Sequence, residues 1–152
     1  MTSSKPPAYD ERLTAPKTWW AIAALFGLAV ALVFLPYGGV AALIGLMAGG
    51  GPAGLFVSRQ GSVRIRVTHD LLAVDDARIP LAALGEARAL TGEDARAWRT
   101  YRADLRAFMV MRSYIPTAVR IENIDPEDPT PYLYLSTRTP EQLAKAIGTA
   151  RG

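Results

Sequence analysis

Between Thr18 and Ser58 the chain carries no charged residue, although charges are frequent on both sides. No other stretch limits the fold as strongly. It holds two uninterrupted apolar runs, WWAIAALFGLAVALVFL over residues 19–35 and VAALIGLMAGGGPAGLFV over residues 40–57. Each is near the lower end of the roughly 17–25 residues that cross a bilayer as a helix. Between them lies PYGG, in which proline stops one helix and the glycines permit a tight reversal. The pattern predicts a helical hairpin. A soluble helix would show a polar face, which neither run does. A secretory leader would have a shorter apolar core and no second span. The GGGPAG stretch over residues 49–54 predicts a kinked, loosened or partly re-entrant second helix. Gly27, Gly45 and Gly49 are small enough to let the two helices approach closely.

The flanks suggest an orientation. Trp19 and Trp20 suit one membrane interface and Tyr37 the other. Lys5, Arg12 and Lys17 precede the first run, Arg59, Arg64 and Arg66 follow the second, and the loop has no cation. The positive-inside rule then predicts a multi-pass protein of the cell membrane with both termini cytoplasmic. Three regions follow: a loose polar tail over residues 1–18, the hairpin over 19–57, and a cytoplasmic β-rich domain over 58–152.

Beyond residue 59 the hydrophobic period changes to two. Val63, Ile65 and Val67 alternate with Arg64, Arg66 and Thr68, as in a half-buried strand. A turn at His69–Asp70, a strand LLAVD and a turn at Asp75–Asp76 come next. RIPLAAL is predicted extended with an edge at Pro80, and GEARAL as another strand. GEDARAWRTYRAD lacks alternation and is predicted as a loop with one or two helical turns. RAFMVMR, TAVRIENI and PYLYLST read as strands. TPEQLAKAIGTAR reads as a closing helix, with Thr139 as its N-cap, Pro140 in the first turn and Gln142 completing a capping box. The fold class expected is a two-helix transmembrane hairpin followed by a small α+β domain, an antiparallel sheet with a C-terminal capping helix.

Little in the chain points to catalysis. With no cysteine there are no disulfides, thiolate metal sites or cysteine nucleophiles. His69 is the single histidine, and its place between two strands suits a turn better than a triad or zinc site. No serine lies in a nucleophile-elbow context and no glycine-rich phosphate loop is present. Asp125, Glu127 and Asp128 lack EF-hand spacing, so DPEDPTP reads as a turn rather than a calcium loop. The expectation is a non-enzyme without cofactor. After Ser58 there are 14 Lys/Arg and 12 Asp/Glu, scattered, a balance that argues against nucleic acid as a partner. Arg96, Arg99, Arg102 and Arg106 recur at three- to four-residue spacing. Together with Arg64 and Arg66 they are the candidate contacts for anionic lipid head groups or a protein partner, against the plainer reading of a solvated face balanced by Glu93, Asp94 and Asp104. Trp98 and Tyr101, in the same stretch, are candidates to anchor it either to the core or to the membrane interface.

Two resemblances extend this reading. IRVTHDLLAVDDARIPLAAL resembles the opening of bacterial pleckstrin-homology-like domains, which implies a curved antiparallel sheet closed by a helix. YDERLTAP with the WW pair, IPTAVRIE and DPEDPTPYLYLSTRTPEQLA resemble a family of small actinobacterial two-span membrane proteins, a domain of unknown function. That resemblance implies a membrane protein and no activity. The role expected is a membrane-tethered interaction or scaffolding module. The alternative is an accessory subunit of a transport or cell-envelope complex, acting with a membrane partner or as a homo-oligomer.

Overall fold

A computed structural model describes residues 6–61 and 63–152. The chain divides into two compact units, one of residues 14–63 and one that joins residues 6–13 to residues 64–152.

The first unit is an antiparallel pair of helices, α1 (Lys17–Phe34) and α2 (Gly39–Gln60). A single 3-10 turn at Leu35–Tyr37 and Gly38 reverse the chain, with Gly38 at φ 113°, a conformation that a Cβ would strain. Both helices are long and apolar enough to cross a membrane. Their contact is built on glycine. A Cβ on Gly27 would sit 3.0 Å from the Gly50 Cα. One on Gly45 would meet the Val30 carbonyl at 3.1 Å, and one on Gly49 would meet Val30 Cγ2 at 2.8 Å. The close approach anticipated at these three positions is thus present. α2 runs unbroken through GGGPAG, although Pro52 supplies no N–H to the Ala48 carbonyl one turn back. The expected re-entrant break does not occur.

The second unit corrects the expectation of a loose tail over residues 1–18. Residues 1–5 lie outside the described residues, but Tyr9–Arg12 forms a strand, β1. It pairs antiparallel with β2 (Arg64–Val67), in register from Tyr9 opposite Val67 to Arg12 opposite Arg64. The helical pair is therefore inserted between two neighbouring strands of one sheet. β3 (Leu71–Val74) and β4 (Ala77–Pro80) complete the meander. The β2–β3 turn contains His69, as expected. The β3–β4 turn places Asp75 at φ 54°, tolerated by aspartate in tight turns.

The second sheet has the order β5 (Leu84–Leu90), β7 (Ala118–Asn123), β8 (Tyr132–Ser136), β6 (Phe108–Val110). Here the antiparallel expectation fails at one place: β6 runs parallel to β8. The connection from β6 to β7 and the return through β8 leave β6 to add on the outer side of β8. GEDARAWR forms α3 (Gly92–Arg99), and the chain closes with α4 (Pro140–Arg151).

Alternation explains the core. Ile65, Val67, Leu72 and Val74 point inward from the first sheet, Val119, Ile121, Leu133 and Leu135 from the second, and Leu143 and Ile147 of α4 join them, all at most 3 % exposed. β8 is buried on both faces. Its leucines face this main core, and Tyr132 and Tyr134 face a second cluster with Leu90, Ala95, Ala118 and Trp98 of α3. Leu13, just after β1, is fully buried.

Candidate interaction surface

The candidate arginines separate into two groups. Arg64 and Arg66 sit on the outer face of the first sheet, where both converge on Asp10 of β1. Arg64 makes a two-pronged contact, Nε to Oδ1 at 2.7 Å and Nη2 to Oδ2 at 2.5 Å, and Arg66 lies 3.7 Å away. Hydrogen bonds from Arg64 first, then the charges of both arginines, hold the Asp10 carboxyl below the usual aspartate range. These cations therefore already have an anionic partner, which the sequence did not disclose because Asp10 lies before the apolar block.

The second group follows α3. The stretch expected as a loop with one or two helical turns forms the short α3, and of the four arginines only Arg96 and Arg99 lie in it. Arg96 lies 3.9 Å from Glu93 and is mostly exposed. Arg106 is bound to Asp104 through both its guanidinium, at 3.1 Å, and its own N–H, at 2.9 Å. Arg102 lies over the Trp98 ring at 6.0 Å. Trp98 itself faces the core: it meets Tyr132 edge-on at 5.3 Å, and the Arg120 guanidinium stacks on both rings at 4.3 and 5.0 Å. Of the two aromatic anchors considered, Trp98 belongs to the core and Tyr101 is exposed.

A third cluster joins residues too far apart in sequence for any local pattern to announce it. The Tyr9 hydroxyl donates to Glu11 Oε2 at 2.7 Å and lies 2.6 Å from Thr139 Oγ1 and 3.1 Å from Thr137 Oγ1. Glu11 also accepts the Thr137 hydroxyl at 2.5 Å and the Arg138 N–H at 3.0 Å. The Glu11 carboxylate thus holds three donors, two of them from the segment joining β8 to α4. Thr139 does occupy the N-cap position of α4, but its hydroxyl is turned to Tyr9 and makes no capping bond. That is where the capping-box expectation fails. The arrangement clasps β1 to the far end of the chain.

Tyr9, Tyr114 and Tyr134 share one electrostatic property: burial, the first cause in each, raises their pKa above the ordinary 10.0. A raised folded-state value means that their contribution to stability is fully present below about 10 and is lost as pH climbs through the folded values. The urea midpoint of the domain is expected to hold steady up to pH about 10 and fall beyond it, together with tyrosinate absorbance. A midpoint unchanged while the tyrosines ionise would contradict this.

DPEDPTP is turn structure, as expected. Asp125 Oδ1 accepts the Glu127 N–H at 3.0 Å and Asp128 Oδ1 the Thr130 N–H at 2.9 Å. These two aspartates border a cavity of about 380 Å³ shared with Arg78, Asn123 and Phe108. Among the described residues no group of three or more His, Cys, Asp or Glu is arranged to hold a metal ion.

Neither the curated proteins nor the solved structures include a match to this chain. Over residues 8–147 it matches the family described as Protein of unknown function (DUF3093), and the chain belongs to that family.

Proposed function

We propose that this is an integral membrane protein whose two helices span the bilayer and whose β-rich domain is a non-catalytic interaction module held at the inner face. The observation that carries the reading is the surface of the helical pair. Only 17 % of each apolar window is buried, and Ile22, Leu25, Phe26, Val33, Leu43 and Met47 are all more than half exposed. A soluble protein would bury such helices; a bilayer covers them without further protein. The pairing of β1 with β2 adds a topological constraint. Two strands joined through a membrane-crossing pair must lie on the same side, which requires an even number of crossings.

Lys17 at the start of α1 and Arg59 at the end of α2, against a cation-free loop, orient that side to the cytoplasm. Strand meander, second sheet and closing helix are compatible with a pleckstrin-homology-like domain. Such a module works through loops and surface rather than a catalytic cleft, and Arg99 and Arg102, which have no carboxylate partner among the described residues, are its candidate cations for lipid head groups or a protein partner.

Sidedness is directly measurable because the chain has no cysteine. A Tyr37→Cys variant is expected to react with a membrane-impermeant maleimide on intact cells, and Lys145→Cys only after lysis. Labelling of Lys145→Cys on intact cells would sink the orientation, and recovery of the chain in the soluble fraction would sink the membrane reading.

A further inference from the structure

The turn between α3 and β6 holds an apolar tip out into solvent. Leu105 is fully exposed, at 103 %, and Tyr101 is 76 % exposed. The segment is pinned by hydrogen bonds. Arg102 N–H donates to the Ala97 carbonyl at 2.9 Å, Ala103 N–H to the Thr100 carbonyl at 3.2 Å, and Ala107 N–H to the Asp104 carbonyl at 3.0 Å. Asp104 N–H donates to the hydroxyl of Tyr132, a buried residue of β8, at 2.9 Å. The tip is therefore fixed to the second sheet. Ordering a leucine in water costs entropy and removes no apolar surface from it.

The charges around the tip are unevenly committed. Asp104 is taken by Arg106 and Glu93 faces Arg96. Arg99 and Arg102 enter no ion pair among the described residues. Two guanidinium groups without a carboxylate partner, the half-buried Arg99 and the exposed Arg102 that rests over Trp98, join a tyrosine and a protruding leucine, and this set matches the layers of an anionic bilayer surface: phosphate, head-group boundary and outer hydrocarbon. Two side chains fall far short of the roughly 800 Å² per partner that a stable protein interface needs. A tethered domain needs much less contact to dock on its own membrane, because the tether makes the encounter intramolecular.

We propose that the turn at residues 100–106 docks on the anionic inner leaflet, with Leu105 entering the hydrocarbon boundary and Arg99 and Arg102 on head-group phosphates. This rests on the membrane-tethered reading above.

The test uses the full chain, one copy per nanodisc, with an environment-sensitive fluorophore on Ala103→Cys. In discs of phosphatidylcholine with phosphatidylglycerol the label is expected to be shielded from iodide and quenched by nitroxide lipids. In phosphatidylcholine alone it should be open to iodide. Arg99→Gln and Arg102→Gln should each lower the docked-to-undocked ratio about fivefold, the equivalent of ~1 kcal/mol per basic charge at an anionic leaflet. Leu105→Ser should abolish shielding while leaving the near-UV circular dichroism intact, since the side chain packs on nothing. Equal shielding in neutral discs, no shielding in either, or shielding only with two copies per disc would each overturn the proposal. Maleimide sidedness measured on the same preparations keeps that failure separate: a chain that spans correctly but leaves the tip open loses only the docking.

Discussion

A chain that begins at Thr14 is expected to lose the folded state of the domain built from residues 64–152, although none of those residues has been removed. Three losses combine. Leu13 is fully buried, and returning such a side chain to water costs about 1.5–3 kcal/mol. Glu11 accepts hydrogen bonds from Tyr9, Thr137 and Arg138; bonds to a charged group are worth about 1.5–3 kcal/mol each, less where solvent substitutes. β2 becomes an edge strand, and Arg64 and Arg66 lose Asp10. The sum is about 5 kcal/mol or more, comparable with the whole stability of a typical domain. Urea unfolding of the full and truncated chains in the same detergent, followed by hydrogen exchange on β2 and β3, reads the effect. A midpoint shift worth less than about 1 kcal/mol would mean that β1 is an accessory strand. A milder version, Glu11→Ala, should reproduce roughly half of the loss without touching the helical pair.

The same strand marks where sequence reading stops. The charge-free run, the alternation of Val63, Ile65 and Val67, and the Asp75–Asp76 turn are local patterns, and each reappears in the structure where it was expected. YDER is too short and too polar to announce a strand: its burial alternates only between half-buried and exposed, and its partner lies beyond the entire apolar block. The parallel pairing of β6 with β8 is likewise a matter of long-range placement that no composition encodes. Side-chain destinations were legible only in part. Arg64 and Arg66 were visible as a basic face, but not the Asp10 that occupies them. Trp98 could go either way until Tyr132 and Arg120 closed around it. Thr139 stands at the start of α4 as its local pattern implies, yet Tyr9, 130 positions away in sequence, claims its hydroxyl. What stayed legible at the candidate surface was its charge. The shape, with Leu105 held out by the Tyr132 bond, was not.

Gly49→Leu is expected to separate α1 from α2, while Gly51→Leu is expected to leave them together. The two positions share a helix and a GGG run, so propensity and hydropathy change alike. They differ in what the new side chain meets. At Gly49 even a Cβ would lie 2.8 Å from Val30 Cγ2 and 3.0 Å from Val30 Cβ, whereas at Gly51 nothing lies within 4 Å. A Val30 rotamer change relieves the first contact but not the second, which belongs to the Cβ itself, so the helices must shift. Gly27→Leu should be more severe, because its obstacle is the Gly50 backbone at 3.0 Å, which no rotamer can move. Overpacking of this kind costs about 1–3 kcal/mol when side chains can adjust and more when backbone must. In the proposed bilayer setting, helix association has little hydrophobic drive with which to offset it. Spin labels on Leu25→Cys and Leu55→Cys, both on exposed faces, should report a longer and broader distance distribution for Gly49→Leu and Gly27→Leu, and an unchanged one for Gly51→Leu. If all three leave the distance alone, glycine packing is not what holds the pair, and the turn at Leu35–Gly38 must set its geometry instead. If the Gly49 and Gly27 variants also loosen β1 from β2, the insertion of the helical pair between those strands is mechanically coupled to the sheet, because Arg12 and Arg64 must stay opposite one another for the first sheet to close.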